Sequence, residues 1–162
     1  MNSLKTTYTA NQVMNTPTST RSDVKKTSST APSLASALYA RRMHRTLVVK
    51  VTAGADAPER CAQAFTVAAT ALAAGVEVSL WLTGEASWLA LPGRAESFEL
   101  PHSAPLSDLR DAVLSGGRLT LCTQCAARRD IAEADVLPGV RIAGSAAFVE
   151  EVLGDAVQAL VY

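Results

Sequence analysis

The sequence predicts an α/β domain of three layers, α/β/α, with a mainly parallel five-stranded sheet behind a disordered N-terminal extension. Three observations predict it. From Thr46 onward strand-like apolar stretches alternate with helix-like ones, the pattern of successive βα units. The chain has 162 residues and 48% hydrophobic letters, enough for one core and too little for two comfortable domains. The longest apolar run, Val76 to Leu82, is interrupted by Glu77 and falls far short of the roughly 20 residues that a membrane-spanning helix needs. The expectation is a soluble, cytoplasmic protein.

Thr46 to Thr52 reads as the first strand, a buried apolar run ended by Ala53-Gly54. Asp56 stands three residues before Glu59, the spacing of a capping box, and Pro58 falls in the first turn, where its missing N–H is not needed. The helix that follows carries Cys61, Phe65, Ala68, Ala69 and Leu72 at spacings of three and four, and Gly75 is placed to end it. Val76 to Leu82 is the second strand, with Val76, Val78, Leu80 and Leu82 on one face and Trp81 on the other. Ser97 to Leu100 reads as a short strand. Leu106, Leu109 and Val113 mark a helix closed by Gly116-Gly117, and Arg118 to Cys122 is a strand running straight into another helix start. Val140 to Ile142, a helix from about Ser145 to Leu153 and a strand from Ala156 to Tyr162 complete the alternation, with the last residues pinned in the sheet.

The formal net charge is zero, but residues 1–45 hold seven bases against one acid, and the remainder is net −6. Residues 1–42 are expected to be a disordered, basic, Ser/Thr-rich extension, and residues 43–162 the folded domain. The extension is too poor in apolar residues to offset its ordering entropy. A short amphipathic helix over Ser33 to Arg45 fits the pattern, and so does an organellar transit peptide. A translation start at Met43 is a third reading. With only Tyr8 and Tyr39 as aromatics in the basic segment, no nucleic-acid partner is expected, and no membrane partner either.

Three cysteines, Cys61, Cys122 and Cys125, are an odd number in a domain large enough to fold on its core, which argues against a secreted disulfide scaffold. Cys61 lies on an apolar helix stripe and reads as a small hydrophobe. Cys122 and Cys125 form a C-x-x-C pair in which the first falls at the carboxyl end of a strand and the second in the next helix turn. Ligands of open α/β sheets bind at that edge, and the unpaired N–H groups of a helix start favour a thiolate. Arg128 and Arg129 add positive charge one turn on, which would raise the thiolate fraction. Three readings stay open: half of a zinc site that Cys61 or His102 would have to complete, two inert buried thiols, or reactive sulfur chemistry. Gly54 at the first strand end and Trp88 after the second are candidate pocket residues, although a plain strand-to-helix turn and ordinary core packing explain them as well. His102 reads as a surface loop residue. The Ala53-Gly54 turn has neither a phosphate-loop nor a dinucleotide pattern, and no cofactor and no metal are expected.

The order strand, Gly-containing loop, Asp56-Ala57-Pro58-Glu59-Arg60, helix, Gly75, strand, then Cys122 before Ala126-Ala127-Arg128-Arg129 and Ile131, resembles the DsrE/DsrF-like family, which includes the TusD-type sulfur-relay subunits. The resemblance covers about Thr46 to Tyr162. It implies a DsrEFH-like fold, a cysteine at the position of Cys122 that carries sulfur as a persulfide, sulfur-donor and sulfur-acceptor protein partners, and homo- or hetero-oligomers. Two positions depart from the pattern: Asp130 stands where relay subunits commonly have Gly, and Cys125 where the residue is usually small and not cysteine. A second thiol one turn away can attack a persulfide on the first and release sulfide, leaving a disulfide. The resemblance therefore implies sulfur transfer or thiol redox chemistry, of a sulfurtransferase or thiol-oxidoreductase kind, with Cys122 as carrier and Cys125 as resolving thiol. The rival is a non-enzymatic oligomerisation or partner-docking subunit with silent cysteines.

Overall fold

A computed structural model describes Ser33 and residues 45–162. The expectations for the extension, its short helix and the Met43 start lie outside the described residues, Ser33 and Arg45 apart.

Strand β1 (Thr46–Val51) is β-branched and buried, and it lies inside the sheet because both neighbours pair with it in parallel, β2 (Glu77–Leu82) on one side and β5 (Val157–Val161) on the other. Strands β3 (Arg118–Cys122) and β4 (Arg141–Ala143) extend the sheet beyond β2, giving the order β4-β3-β2-β1-β5 with every pairing parallel. The chain steps outward from β1 to β4 and then crosses back to β5.

Helices α1 (Pro58–Ala73) and α2 (Leu106–Gly116) cover one face. Alternation puts Val49, Val51, Leu80, Leu82, Leu119 and Leu121 on that face, where they pack with Cys61, Phe65, Ala68 and Val113 into one fully buried core. α1 ends as the sequence predicts: Gly75, at φ 79°, donates to Leu72 O and Val76 donates to Ala71 O, the paired bonds of a Schellman cap. Its start differs. Ala57 occupies the N-cap, and the Asp56 carboxylate turns back to accept from Gly54 N at 2.7 Å, so the expected capping box does not form.

The other face carries Val48, Lys50, Ser79, Trp81 and Thr120, covered by α4 (Ser145–Val152), whose Phe148 ring meets Trp81 edge-on at 5.2 Å. Glu151 is the anchor of this layer. Its carboxylate accepts from Ser79 Oγ at 2.7 Å, Trp81 Nε1 at 2.9 Å, Arg118 at 3.1 Å and Arg141 at 2.6 Å, tying α4 to β2, β3 and β4. Burial alone would push this carboxyl up, but the Ser79 and Trp81 donors, then Arg141 and Arg118, outweigh it and hold it below the usual carboxylate range.

Ser97 to Leu100 forms no strand. The segment belongs to a loop held from α2: Arg110, only 2% exposed, forks onto Glu96 with bonds of 2.8 and 3.1 Å. Phe98 packs on the core from that loop. The same fork, through its hydrogen bonds first, lowers the Glu96 carboxyl to about 2.

Candidate functional site

The carboxyl ends of β1, β2 and β3 meet at one edge, and a cavity of about 430 Å³ opens there on the α4 side of the sheet. β1 contributes Lys50 with Thr52 after it, β2 contributes Trp81 with Thr83 and Gly84 after it, and Phe148 and Ser145 come from α4. Cys122, the last residue of β3, and Cys125, in the short helix α3 (Thr123–Ala127), line the same cavity together with Gln124, Arg128 and Arg129. The segment after β3 joins the α1–α2 core through Ala126 and Ile131, whereas the helix after β4 covers the opposite face. Connections that part in this way open the crevice in which α/β sheets hold ligands.

Both thiols are free, but their surroundings differ. Cys122 is half-buried; Cys125 is 8% exposed. Burial pushes the Cys125 thiol up, yet the Gly84 N–H, the Cys122 thiol, the Ser87 hydroxyl and the Arg129 charge together hold it below its ordinary value. The Gly84 N–H lies 3.4 Å from Cys125 Sγ. Ser87 Oγ is fully buried and makes no hydrogen bond of regular geometry, so an anionic sulfur nearby is the acceptor that would satisfy it.

The sequence leads to an anion on Cys122 favoured by the helix start, Arg128 and Arg129; the structure adds a set of donors around Cys125. α3 has five residues, too few for a substantial macrodipole. The donors converge on Cys125, and the nearby cation is Arg129, 17% exposed, which donates to Cys125 O at 3.3 Å and pairs with Glu85 at 2.7 Å. Arg128 lines the cavity with an exposed side chain.

Gly54 and Trp88 lie outside the lining. Gly54 packs against the Glu85 backbone so closely that a Cβ would come within 2.9 Å of it. Trp88 packs on the core under the Arg94 guanidinium, 5.1 Å from its ring. Gly84 and Trp81 hold the places expected for them. Gly84 sits at φ 51° with a Cβ position 2.7 Å from Thr52 O, so only glycine fits the turn that aims its N–H at Cys125. Asp130 is at φ 52°, in the left-handed region that glycine adopts freely and aspartate tolerates, which explains how this chain departs from the Gly of the relay pattern.

Cys61 lies in the α1 core, its thiol pushed up to about 12 by burial and then by Asp56. Among the described residues no three or more His, Cys, Asp or Glu side chains converge as a metal site would require, so the zinc reading has no partner for the C-x-x-C pair. Also among the described residues, no helix is long and apolar enough to cross a membrane. The environments predict an order of reactivity. Alkylation of folded protein between pH 6 and 8 should modify Cys125 or Cys122 and leave Cys61 untouched until denaturant is added. Early modification of Cys61, followed by peptide mapping, would contradict this.

An all-parallel α/β sheet with two free thiols lining one cavity at its carboxyl edge defines a class of small α/β domains with a cysteine pair at the sheet edge. Residues 46–157 match the model of the DsrE/DsrF-like family, and the chain belongs to it. Among solved structures it is similar to the YchN protein from E. coli, with a TM-score of 0.61 at 15% identity over 74% of this chain and 99% of that one. At that identity the likeness is one of fold. No curated protein matches the chain.

Proposed function

We propose that the protein transfers sulfur or performs thiol redox chemistry, as a sulfurtransferase or thiol-oxidoreductase-like member of its family, with Cys122 as the persulfide carrier and Cys125 as the resolving thiol. The observation that carries this reading is the pairing of a half-buried Cys122 with a buried, donor-surrounded Cys125 at the edge of one cavity. Access supports these roles. A donor persulfide reaches the more exposed sulfur first, while the buried thiolate next to it is held for the second step.

In the first step the Cys125 thiolate takes the Cys122 proton, and Cys122 attacks the outer sulfur of a donor R–S–SH. The Cys122–sulfur bond forms, the donor S–S bond breaks, and R–S⁻ leaves. In the second, Cys125, again deprotonated, attacks the inner sulfur of Cys122–S–SH, giving a Cys122–Cys125 disulfide and hydrosulfide. Without that second step the loaded Cys122 hands its outer sulfur to an acceptor thiolate. Relay of this kind requires sulfur-donor and sulfur-acceptor partners.

Incubation with a persulfide donor followed by peptide mass spectrometry should find one added sulfur on Cys122. In Cys125→Ser the loaded form should persist and sulfide release should fall at least about tenfold, because the resolving nucleophile is gone. Wild-type protein that gains no sulfur on Cys122 would sink the proposal.

A second reading, a docking or oligomerisation subunit, draws on Val149 in α4, Leu153 at its C-cap and Val161 in β5, which are 48%, 78% and 67% exposed. An apolar surface of this kind suits a partner or a second copy. The two readings are compatible if the assembly brings the acceptor to the cavity, and silent cysteines in the sulfur-loading experiment would favour docking alone.

A further inference from the structure

Lys50 is an unexpected residue in its place. It lies in β1 between β2 and β5, paired with Trp81 and Val161 and one position from fully buried Val49 and Val51. A lysine well inside a parallel sheet needs somewhere for its ammonium group. Here the side chain reaches the cavity, 5.1 Å from the Phe148 ring centre.

The lining has a one-sided charge. Lys50, Arg128 and Arg129 face the cavity, and no carboxylate belongs to its lining. Arg129 is neutralised by Glu85, whereas among the described residues neither Lys50 nor Arg128 has an acidic partner. Two unneutralised cations in a concavity walled by Trp81 and Phe148 attract an anion that also carries hydrocarbon. An inorganic sulfur anion would fill only a small part of about 430 Å³, while a tripeptide-sized molecule fits it. The thiols stand at the edge of the same space.

We propose that this cavity binds a carboxylate-bearing low-molecular-weight thiol, with its carboxylates on Lys50 and Arg128 and its carbon chain against Trp81 and Phe148, so that the persulfide of that thiol is a sulfur donor to Cys122. This rests on the sulfur-transfer reading for its reaction but not for its binding. The bound R–S–SH presents its outer sulfur to the Cys122 thiolate. The new S–S bond forms on Cys122, the old one breaks, and the small thiolate leaves with its carboxylates still held by the two cations. The cavity is then emptied by exchange with the next donor.

The binding is tested with S-methylglutathione, which has the carboxylates and the chain but neither thiol nor transferable sulfur. Titrated into the full reduced chain and followed by calorimetry, it should bind saturably and weaken with rising salt. Lys50→Gln and Arg128→Gln should each weaken it about tenfold, the magnitude of one charge-assisted hydrogen bond. Far-ultraviolet circular dichroism and the thermal midpoint verify that each variant is folded, and Arg128→Gln, on an exposed side chain, provides the answer if Lys50→Gln is not. No saturable binding, or equal binding by wild type and Arg128→Gln, overturns the proposal. So does thiosulfate that binds as tightly as the peptide probe, which would assign the cations to an inorganic anion. Because the probe cannot react, failure to load sulfur on Cys122 leaves this result standing, and the two readings fail separately.

Discussion

Gly84→Ala is expected to destabilise the domain by about 2–4 kcal/mol and to raise the pKa of the Cys125 thiol, lowering its reaction rate at neutral pH. Two independent penalties act at this residue. A non-glycine residue at φ 51° is strained by itself, and its Cβ would come to 2.7 Å from Thr52 O, a backbone atom that is fixed because it accepts from Glu85 N. Relief requires the turn to move, and the N–H that moves with it is the one 3.4 Å from Cys125 Sγ. Burial of Cys125 is unchanged by the substitution, so the influence that raises its pKa stays while a main opposing one is lost. The sign follows directly: more thiol, less thiolate. Alkylation rate of Cys125 against pH, set beside a urea unfolding curve, measures both effects. Ser87→Ala provides the milder companion, removing one donor without touching the backbone, and should shift the profile in the same direction by less. A profile identical to wild type in both variants would mean that these donors do not stabilise the thiolate.

The sequence makes the sheet legible because each strand carries its own signal. β1 and β2 are short apolar runs with turn residues behind them, β3 is a short run between Gly116-Gly117 and a helix start, and the helices between them show a period of 3.6. Ser97 to Leu100 misleads because Phe98 and Leu100 alternate with polar residues as in a strand, whereas the segment is a loop fixed by an ion pair from α2. That pairing joins Glu96 to Arg110 through space, and no local pattern announces it. The cysteine pair is legible for the same reason that the strands are: C-x-x-C and the strand end before it are adjacent in the chain. What surrounds the pair is not. Gly84, Lys50, Trp81 and Phe148 reach the cavity through the parallel register of β1, β2 and β3 and the return of α4 over the far face. Trp88 is the first aromatic after the strand end, but Trp81, inside the strand and on its second face, is the one that forms the wall. The period of two alone contains a clue that can be used in hindsight: Lys50 and Trp81 both point away from the aliphatic core, and two such residues on adjacent strands mark a face with a different purpose.

Glu151→Ala is expected to loosen that second face most, with a loss of about 2–3 kcal/mol, and to widen the cavity by freeing Trp81. The carboxylate is 15% exposed and satisfies two donors of the buried sheet surface, Ser79 Oγ and Trp81 Nε1, as well as two arginines. Removing one partner of a fully buried pair typically costs about 3–5 kcal/mol; the lower figure applies here because Arg118 and Arg141 are 50% and 38% exposed and can turn to water. Trp81 Nε1 cannot do so, since the ring is 2% exposed between Phe148 and the Arg141 guanidinium, 5.4 Å from its centre. Glu151→Gln separates hydrogen bonding from charge: its amide oxygen can still accept from Trp81 and Ser79, so it should lose less than Glu151→Ala. The pH dependence has a definite direction. The folded-state pKa lies below the ordinary 4.5, so the carboxylate's contribution is complete above that value and is lost as pH falls through the folded one. The stability gap between wild type and Glu151→Gln should therefore be constant from neutral pH down to about 5 and close below that, with the acid titration of Glu96 cancelling because both proteins share it. Urea unfolding followed by tryptophan fluorescence at pH 7, 5, 4 and 3 reads the gap and the Trp81 environment together. A gap that widens on acidification would show that Glu151 is protonated in the folded protein and that the two arginines hold α4 by other means.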